Sequence, residues 1–311
     1  MSANAKKTPG RDAIAVKGWL AAHKWLILRR SSQAFFLALF LAGPLTGFWI
    51  VKGTLASSLT LNLLPLTDPF IALQSLVAGH KLETTALIGA AIVLVAYWLV
   101  GGRVYCSWVC PVNAVTDAAY WLRERLDLDV GLRFNRAARL WIMATALIVS
   151  FFTGIIAWEL VNPVTIIHRD IVYGTFFTGG FAWLLALAVF LFDLAVSRRG
   201  WCGHLCPVGA FYGLIGRFSP VRISAVRRAQ CDDCMDCYAV CPDPHVITPA
   251  LKGAAKGVGP LIRDGDCTNC GRCIDVCSKD VYVFAFRFGR DAKPKAAESA
   301  EVAEIRTRKA A

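Results

Sequence analysis

Charged residues are scarce in this sequence. Only 18% of its 311 residues are Asp, Glu, Lys or Arg, whereas 56% are hydrophobic. Soluble proteins average about 25% charged and about 45–50% apolar residues. Because the apolar excess falls in long blocks, the composition argues against an ordinary soluble protein and favours one that is embedded in a membrane.

Histidine is also rare, and the positions of the histidines bear on whether the protein binds haem. None of the five histidines lies within a long apolar block. A membrane-embedded haem b would need histidine ligands there, so haem is not expected.

The glycine-rich segment LKGAAKGVGP is not a phosphate-binding loop, since it fits neither G-x-x-x-x-G-K-S/T nor G-x-G-x-x-G. We predict that this segment is a flexible link.

Four apolar blocks have approximately the length of about 20 residues that crossing a bilayer requires. None of them contains Lys or Arg. The sequence therefore predicts a polytopic α-helical membrane protein with four transmembrane helices, at residues 33–51, 86–102, 140–158 and 176–196.

Basic residues predict how the chain is oriented. Seven Lys or Arg precede the first block and six lie in the middle loop, whereas the two other loops contain only Lys52, Lys81 and Arg169. Because Lys and Arg concentrate in cytoplasmic loops, both termini and the middle loop are predicted to be cytoplasmic. We attribute the net charge of +12 to the basic residues that orient the chain in the membrane, and no nucleic-acid partner is expected.

The apolar region contains an internal repeat. A C-x3-C-P motif at Cys106 and Cys110 recurs 96 residues later at Cys202 and Cys206. An Asp-Pro pair at residue 68 is echoed, 94 residues later, by an Asn-Pro pair at residue 162. The region is therefore predicted to be a duplicated helix pair in which both copies have the same orientation.

The C-x3-C-P cysteines have three interpretations. All four could form one site for an iron–sulfur centre or another thiophilic metal. Each pair could instead be a dithiol that takes part in electron transfer, or the thiols could simply pack at helix ends. His204 lies between two of these cysteines, and we interpret it as packing because Trp108 replaces it in the other copy.

Eight further cysteines occur in the runs CDDCMDCYAVCP and CTNCGRCIDVCS, which begin at residues 231 and 267. Both fit C-x2-C-x2-C-x3-C, the run that binds 4Fe–4S clusters and whose fourth cysteine ligates the other cluster in two-cluster ferredoxins. Structural zinc sites use paired knuckles instead. We therefore predict one cluster on Cys231, Cys234, Cys237 and Cys277, and a second on Cys267, Cys270, Cys273 and Cys241.

These features predict five segments along the chain. The run VRISAV precedes the cysteine region and VYVFAFRF follows it, and both are predicted to be strands of a small α+β ferredoxin-like domain. The segments are a basic cytoplasmic segment (1–32), a four-helix transmembrane domain (33–196), a connector with the second C-x3-C-P motif (197–226), the two-cluster domain (227–288) and a polar tail (289–311).

Between about residues 30 and 285 this combination resembles the NapH family, the membrane ferredoxin-type subunits of periplasmic nitrate reductase systems. The resemblance implies a subunit of a quinol dehydrogenase in the bacterial inner membrane rather than a complete enzyme. Ubiquinol or menaquinol would supply electrons to the two clusters. A periplasmic ferredoxin-type subunit and a membrane-anchored cytochrome c would carry them towards nitrate reductase.

A second function stays open beside this one: an iron–sulfur membrane reductase that handles a metal or assembles a cofactor for a respiratory enzyme.

Quinol oxidation releases protons, and a site for it would use side chains that accept them. Candidates in the two outer loops, which are predicted to lie on the side opposite the termini, are His80, His168, Glu159 and Asp68. Taken singly, each is predicted to be a solvated charge or a helix cap. Asp193, near the end of the fourth block, is predicted to pair with a neighbouring arginine, Arg198 or Arg199.

Overall fold

Two compact units make up the computed structural model, which describes residues 8–128, 131–132, 134–175 and 181–289. The helical unit comprises the described parts of Ser31–Tyr97 and Tyr105–Leu214. The C-terminal unit comprises those of Met1–Arg30, Trp98–Val104 and Ile215–Ala311. The predicted connector is thus divided between the units, and the predicted tail lies outside the described residues beyond its first residue.

Helices account for most of the described chain, and two π-helical turns, Phe192–Val196 and Trp201–Leu205, follow α9. The helices are α1 (Arg11–Lys17), α2 (Trp19–Thr46), α3 (Pro69–Val77), α4 (Thr84–Val100), α5 (Val104–Trp108), α6 (Val112–Arg125), α7 (Ala138–Thr153), α8 (Pro163–Val172), α9 (Ala182–Leu191), α10 (Pro207–Gly216), α11 (Asp236–Val240), α12 (Ile247–Lys252) and α13 (Arg272–Val276). The strands are β1 (Val51–Gly53), β2 (Ser57–Thr60), β3 (Leu64–Thr67), β4 (Val221–Ser224) and β5 (Val283–Phe286).

Among the described residues, one helix is long and apolar enough to cross a membrane. It is α2, with 28 residues. The prediction for the first block was wrong at both ends, because the helix begins at Trp19 and stops at Thr46, before β1. The other three predicted blocks correspond to the shorter apolar helices α4, α7 and α9 with its π-helical turn, and residues 176–180 of the fourth lie outside the described part.

The helical unit leaves a large apolar surface uncovered. Large hydrophobic side chains on α4, α7 and α9 are exposed along the lengths of these helices. Soluble monomers rarely expose contiguous apolar patches larger than a few hundred Å². Among these exposed side chains are Leu87, Ile88, Val95, Leu99, Trp141, Ile148, Phe151, Phe152, Trp183, Leu184, Leu187 and Leu191.

The repeat has a clear counterpart in local structure. Helices α3 and α8 each begin with a side-chain cap followed by proline: Asp68 accepts a hydrogen bond from the Phe70 N–H at 2.8 Å, and Asn162 accepts one from the Val164 N–H at 3.1 Å. Such a cap satisfies a free N–H at the helix start, and proline fits the next position because it has none.

The loop between α2 and α3 contains an antiparallel sheet of order β1-β2-β3, which the apolar pattern of the sequence does not predict.

The C-terminal unit is built around one antiparallel strand pair. Strands β4 and β5 pair so that Val221 lies opposite Phe286 and Ser224 opposite Val283, which confirms the two predicted strands. Helix α1 packs against α13. Asp275 of α13 is buried and accepts hydrogen bonds from the backbone N–H groups of two successive α2 residues, each at 3.0 Å. The N-terminal segment is therefore an integral part of this unit.

Candidate iron–sulfur sites

Each cysteine run of the C-terminal unit forms a loop that leads into a short helix. The chain adopts a left-handed conformation twice in each loop, at Asp233 and Met235 in the first and at the equivalent Asn269 and Gly271 in the second. Helices α11 and α13 follow, and the fourth cysteine of each run comes directly after its helix. At Gly271 a side chain would also collide with Trp25, whose Cγ would lie 2.5 Å from the added Cβ.

These eight cysteines line two cavities, four to each. Helices α11 and α13 pack against each other, and each cavity receives three cysteines from one run and the fourth from the other. We call the two sets the first and the second quartet. The first quartet is Cys231, Cys234, Cys237 and Cys277, and the second is Cys241, Cys267, Cys270 and Cys273.

The first quartet lies near the surface. Cys234 is exposed, whereas burial raises the pKa of Cys237 to about 11. The Tyr282 hydroxyl donates a hydrogen bond to the Cys237 Sγ at 3.4 Å, and the Val281 N–H donates one to the Cys277 Sγ at 3.5 Å. Hydrogen bonds to sulfur and exposure to solvent both influence the potential of an iron–sulfur cluster.

The second quartet is more deeply enclosed, since Cys267, Cys270 and Cys273 are all buried. Burial raises the pKa of Cys267 to about 11, while a backbone hydrogen bond and the positive charge of Arg222 act in the opposite direction. A bound metal holds such thiols in the thiolate form, because metal binding releases their protons.

Arg222 gives a direct test of whether an anionic group fits beside the second quartet. This strand residue is 1% exposed, and its Nη1 donates to the Asp264 carbonyl at 3.2 Å. Its Nε and Nη2 have no hydrogen-bond partner among the described residues. A buried guanidinium with free donors needs a partner of opposite charge. A cluster on four thiolates would supply one, so this site fits a 4Fe–4S cluster.

Arg103 belongs to an ion-pair network that adjoins the second quartet. Its guanidinium is buried, with Nη1 at 2.8 Å from the Asp243 carboxylate and 2.9 Å from the Asp266 carbonyl. The Nε2 atom of His245 lies 3.2 Å from the Asp266 carboxylate. The ligand atoms of these two aspartates and the histidine lie within 4.8 Å of one another. Because Arg103 also lies 2.8 Å from the Asp243 carboxylate and 4.0 Å from that of Asp266, we interpret the group as an ion-pair network.

The four C-x3-C-P cysteines come together in the helical unit. Cys110 lies within electrostatic range of Cys106 and Cys206, and Cys202 lies within range of all three others. Burial raises the pKa of Cys110 and of Cys202, and the neighbouring thiols raise both further. The four thiols therefore lie in one region of the helical unit, as a shared four-thiolate site would require.

Buried polar side chains hold these motifs in place. The Gln33 side-chain N–H donates to the Ser107 carbonyl at 3.0 Å and to the Asn113 side-chain oxygen at 3.2 Å. The Thr116 hydroxyl lies 3.7 Å from the Cys202 Sγ and links the two copies of the repeat. These residues could not be predicted from the sequence, because a single Gln or Thr in an apolar region carries no spacing signal.

The four candidate proton acceptors have different environments. Asp68 is a helix cap, as predicted, and burial raises its pKa to about 7. Glu159 is half-buried, and burial raises its pKa as well. His80 is exposed and bonds to a backbone carbonyl at 2.8 Å. His168 is completely buried, so its prediction as a solvated group was wrong.

Asp193 does not form the predicted ion pair. Its Oδ1 accepts a hydrogen bond from the Trp201 N–H at 2.9 Å, so it caps the π-helical turn that carries Cys202. Arg198 and Arg199 form ion pairs with acidic side chains of α6 instead. His204 is half-buried, with its ring 6.4 Å from that of Phe134, in keeping with packing.

The paired quartets, the left-handed turns of the cysteine loops and the unpaired donors of Arg222 together define an iron–sulfur electron-transfer protein. Comparison with known proteins agrees with this class. The family model described as a 4Fe-4S dicluster domain matches residues 230–281, and the one described as a 4Fe-4S binding domain matches residues 82–128 and 178–225. The second model covers both C-x3-C-P motifs.

Whole-chain relatives identify the family more closely. The methylamine utilization ferredoxin-type protein MauN of Methylorubrum extorquens is 53% identical over 91% of this chain and 96% of its own length. MauN of Paracoccus denitrificans is 54% identical over 88% and 95%. The ferredoxin-type protein NapH of Escherichia coli is 47% identical over 94% and 99%. The chain therefore belongs to the NapH and MauN family of ferredoxin-type proteins. No solved structure matches it.

Proposed function

We propose that this chain is a multi-pass membrane subunit that takes electrons from quinol and passes them through iron–sulfur clusters to a respiratory partner. The observation that carries the proposal is the grouping of eight cysteines into two quartets around two cavities. The quartets are the ligand sets that we assign to two 4Fe–4S clusters. Quinol as the electron source rests on the resemblance to the NapH family.

Membrane placement is supported by the helical unit. Helices α4, α7 and α9 with its π-helical turn are apolar, and their large side chains face outward rather than into a core. Lipid would cover such a surface, and local thinning of the bilayer or snorkelling of flanking side chains accommodates short spans. We therefore retain four spans, with the termini and the C-terminal unit on the cytoplasmic side of a bacterial inner membrane.

The residues around each quartet have defined tasks. A 4Fe–4S cluster supplies one-electron transfer when it is bound. The thiolates would hold it, and the Tyr282 hydroxyl and the Val281 N–H would donate hydrogen bonds to sulfur at the first quartet. Arg222 would place a positive charge beside the second quartet, and the apolar core of the C-terminal unit excludes water there.

A third centre on Cys106, Cys110, Cys202 and Cys206 is part of the proposal. Its support is the proximity of the four thiols in the helical unit and the match of the 4Fe-4S binding domain to both copies of the motif. In the proposed topology it would lie at the cytoplasmic ends of the spans. There it would extend the route of electrons between the membrane and the C-terminal unit.

Two destinations for the electrons follow from the relatives. For the first, we propose a periplasmic nitrate reductase chain, reached through a periplasmic ferredoxin-type subunit and a membrane-anchored cytochrome c. The second is a methylamine-utilization system, favoured by the identities of 53% and 54% to MauN. Complementation of nitrate-dependent and of methylamine-dependent growth, in strains that lack the corresponding relative, distinguishes the two.

The experiment for the proposed function is quinol-driven reduction of the clusters. Anaerobically purified protein is mixed with decylubiquinol or with a short-chain menaquinol, and cluster absorbance and EPR are followed. We expect at least one quinol to reduce clusters that dithionite also reduces. Reduction by dithionite alone would contradict a quinol dehydrogenase role. If the clusters did not react with quinol but were reoxidised by a metal ion or a thiol substrate, the metal-handling and cofactor-assembly alternative would be favoured.

A further inference from the structure

The helical unit contains a cavity of about 700 Å³. Ligand pockets have volumes of about 300–1,000 Å³, so this one is large enough for a small organic group. No cysteine is among its described lining residues, which separates it from the candidate iron–sulfur sites. We call it the basic cavity, because the charged side chains that line it are Arg123, Arg136, Arg198 and Glu124.

The three arginines of the basic cavity come from three separate segments of the chain. Arg123 lies on α6, Arg136 lies in the loop before α7, and Arg198 follows the π-helical turn after α9. Three arginines and one glutamate leave a formal surplus of two positive charges around one space. Like charges repel each other, so an anion in the cavity would relieve this repulsion.

Hydrogen bonds fix Arg123 in the wall of the cavity. Its side chain is 3% exposed, and its Nη1 donates to the carbonyls of Asp193 at 3.3 Å and Leu194 at 2.7 Å. Gly131 leaves room for the guanidinium, since an added Cβ there would lie only 2.6 Å from the Arg123 Nη2. Arg123 is therefore a positive charge that is already held in position before any ligand arrives.

The other two arginines are accessible to solvent. Arg198 donates to the Tyr120 hydroxyl and lies 3.3 Å from the Glu124 carboxylate, with its side chain 52% exposed. Such an exposed ion pair is weak, so another anion can compete for the guanidinium. Arg136 is exposed, and its side chain forms no hydrogen bond or ion pair with another described residue. Both guanidinium groups are thus available to a ligand.

Apolar side chains of the same cavity indicate what kind of anion it suits. Leu128, Leu132 and Phe134 also line it, and the two leucines are 42% and 64% exposed. Guanidinium groups bind phosphate through paired hydrogen bonds. An amphipathic phosphate ester would use both kinds of lining. In the proposed topology this region lies on the cytoplasmic side, where basic pockets between helices bind the head groups of anionic lipids.

We propose that the basic cavity binds a phosphate group, and that an anionic phospholipid of the bilayer supplies it. Arg123, Arg136 and Arg198 would donate to the phosphate oxygens, and the apolar lining would contact the adjoining part of the lipid. The phosphate site rests on the cavity, whereas the lipid as its source rests on the proposed membrane placement. Because His204 also lines the cavity, bound lipid would contact the turn that separates Cys202 from Cys206.

Lipid binding to the full-length holoprotein in a neutral detergent is measured by native mass spectrometry. The two lipids are dioleoyl phosphatidylglycerol, which is anionic, and dioleoyl phosphatidylcholine, whose choline cancels the phosphate charge. We expect wild type to prefer phosphatidylglycerol by about tenfold or more, and Arg136→Gln and Arg198→Gln each to weaken its binding about tenfold, the effect of one lost charge-assisted hydrogen bond. Arg125→Gln is the matched control and should bind as wild type does. Arg125 is an exposed α6 residue outside the cavity lining, and it packs 5.0 Å from the centre of the Trp121 ring.

Photo-crosslinking of unaltered protein covers the case in which a variant fails to fold. A photoreactive phosphatidylglycerol should label the peptides that contain α6 or Arg198, and excess phosphatidylglycerol should displace the label. Equal binding of both lipids, undiminished binding by both test variants, or displaceable label confined to other peptides would overturn the assignment.

Inorganic phosphate, followed by isothermal titration calorimetry, tests the source of the phosphate group. Binding of inorganic phosphate by a protein that does not bind phosphatidylglycerol would overturn the lipid as that source. Quinol-driven reduction of the clusters is measured independently on the same preparations. A protein that reacts with quinol but shows no selective lipid binding would lose this site and keep the proposed function, and the opposite result would do the reverse.

Discussion

Removing the positive charge of Arg222 should lower the reduction potential of one cluster and leave the other unchanged. The guanidinium is buried beside the second quartet, where it would stabilise the reduced cluster, which carries one more negative charge. At a separation of about 8 Å and an effective dielectric constant of about 20, one unit charge contributes about 2 kcal/mol. For a one-electron couple, that corresponds to about 90 mV.

An EPR-monitored redox titration measures this shift. We expect Arg222→Gln to lower the potential of the cluster on the second quartet by tens of millivolts, while Arg222→Lys keeps most of the wild-type value. The cluster on the first quartet is the internal control, and Cys234→Ser identifies its signal. The reasoning is refuted if Arg222→Gln leaves both potentials unchanged or shifts them equally.

Three further outcomes follow from the structure. Gly271→Ala should lower the thermal stability of the C-terminal unit by about 1–3 kcal/mol, because the site has a φ of +73° and Trp25 occupies the space of a Cβ; an unchanged melting temperature would contradict this. Asp275→Ala should expose α1 and the start of α2 to limited proteolysis, since it removes the acceptor of two backbone N–H groups; unchanged cleavage would contradict it. Burial raises the pKa of Asp68, so its contribution to stability falls as pH rises between about 4 and 7. Asp68→Asn, which copies the cap at Asn162, should flatten that part of a pH–melting profile, and an unaltered profile would argue against it.

The cysteine chemistry could be predicted from the sequence because ligand spacing is a local property. The eight ferredoxin-type cysteines and the strands that flank them follow from residues close together in the chain. The extent of the first helix did not follow from hydropathy. Its N-terminal half contains Arg29 and Arg30, which end an apolar block but are good helix formers, so the helix continues back to Trp19.

Arg222 shows where sequence reasoning stops. It alternates with Val221 and Ile223 in β4, a pattern that predicts a solvent-facing arginine on a half-buried strand. Both faces of this strand are covered, since Arg222 and Ser224 are as buried as Ile223. Tertiary contacts, including the bridge between Ser224 and Leu261, decide that burial.

Iron and acid-labile sulfide per chain, measured with EPR on anaerobically purified protein, test the central claim most directly. Two quartets require about eight iron atoms per chain, and a third centre on the C-x3-C-P cysteines requires more. We predict a value above eight that falls back to about eight in the double variant Cys106→Ala/Cys202→Ala. A value near eight in both proteins would contradict the proposed third centre and leave the two quartets as the cluster sites. Little iron or sulfide in either protein would contradict the iron–sulfur assignment on which the whole account rests.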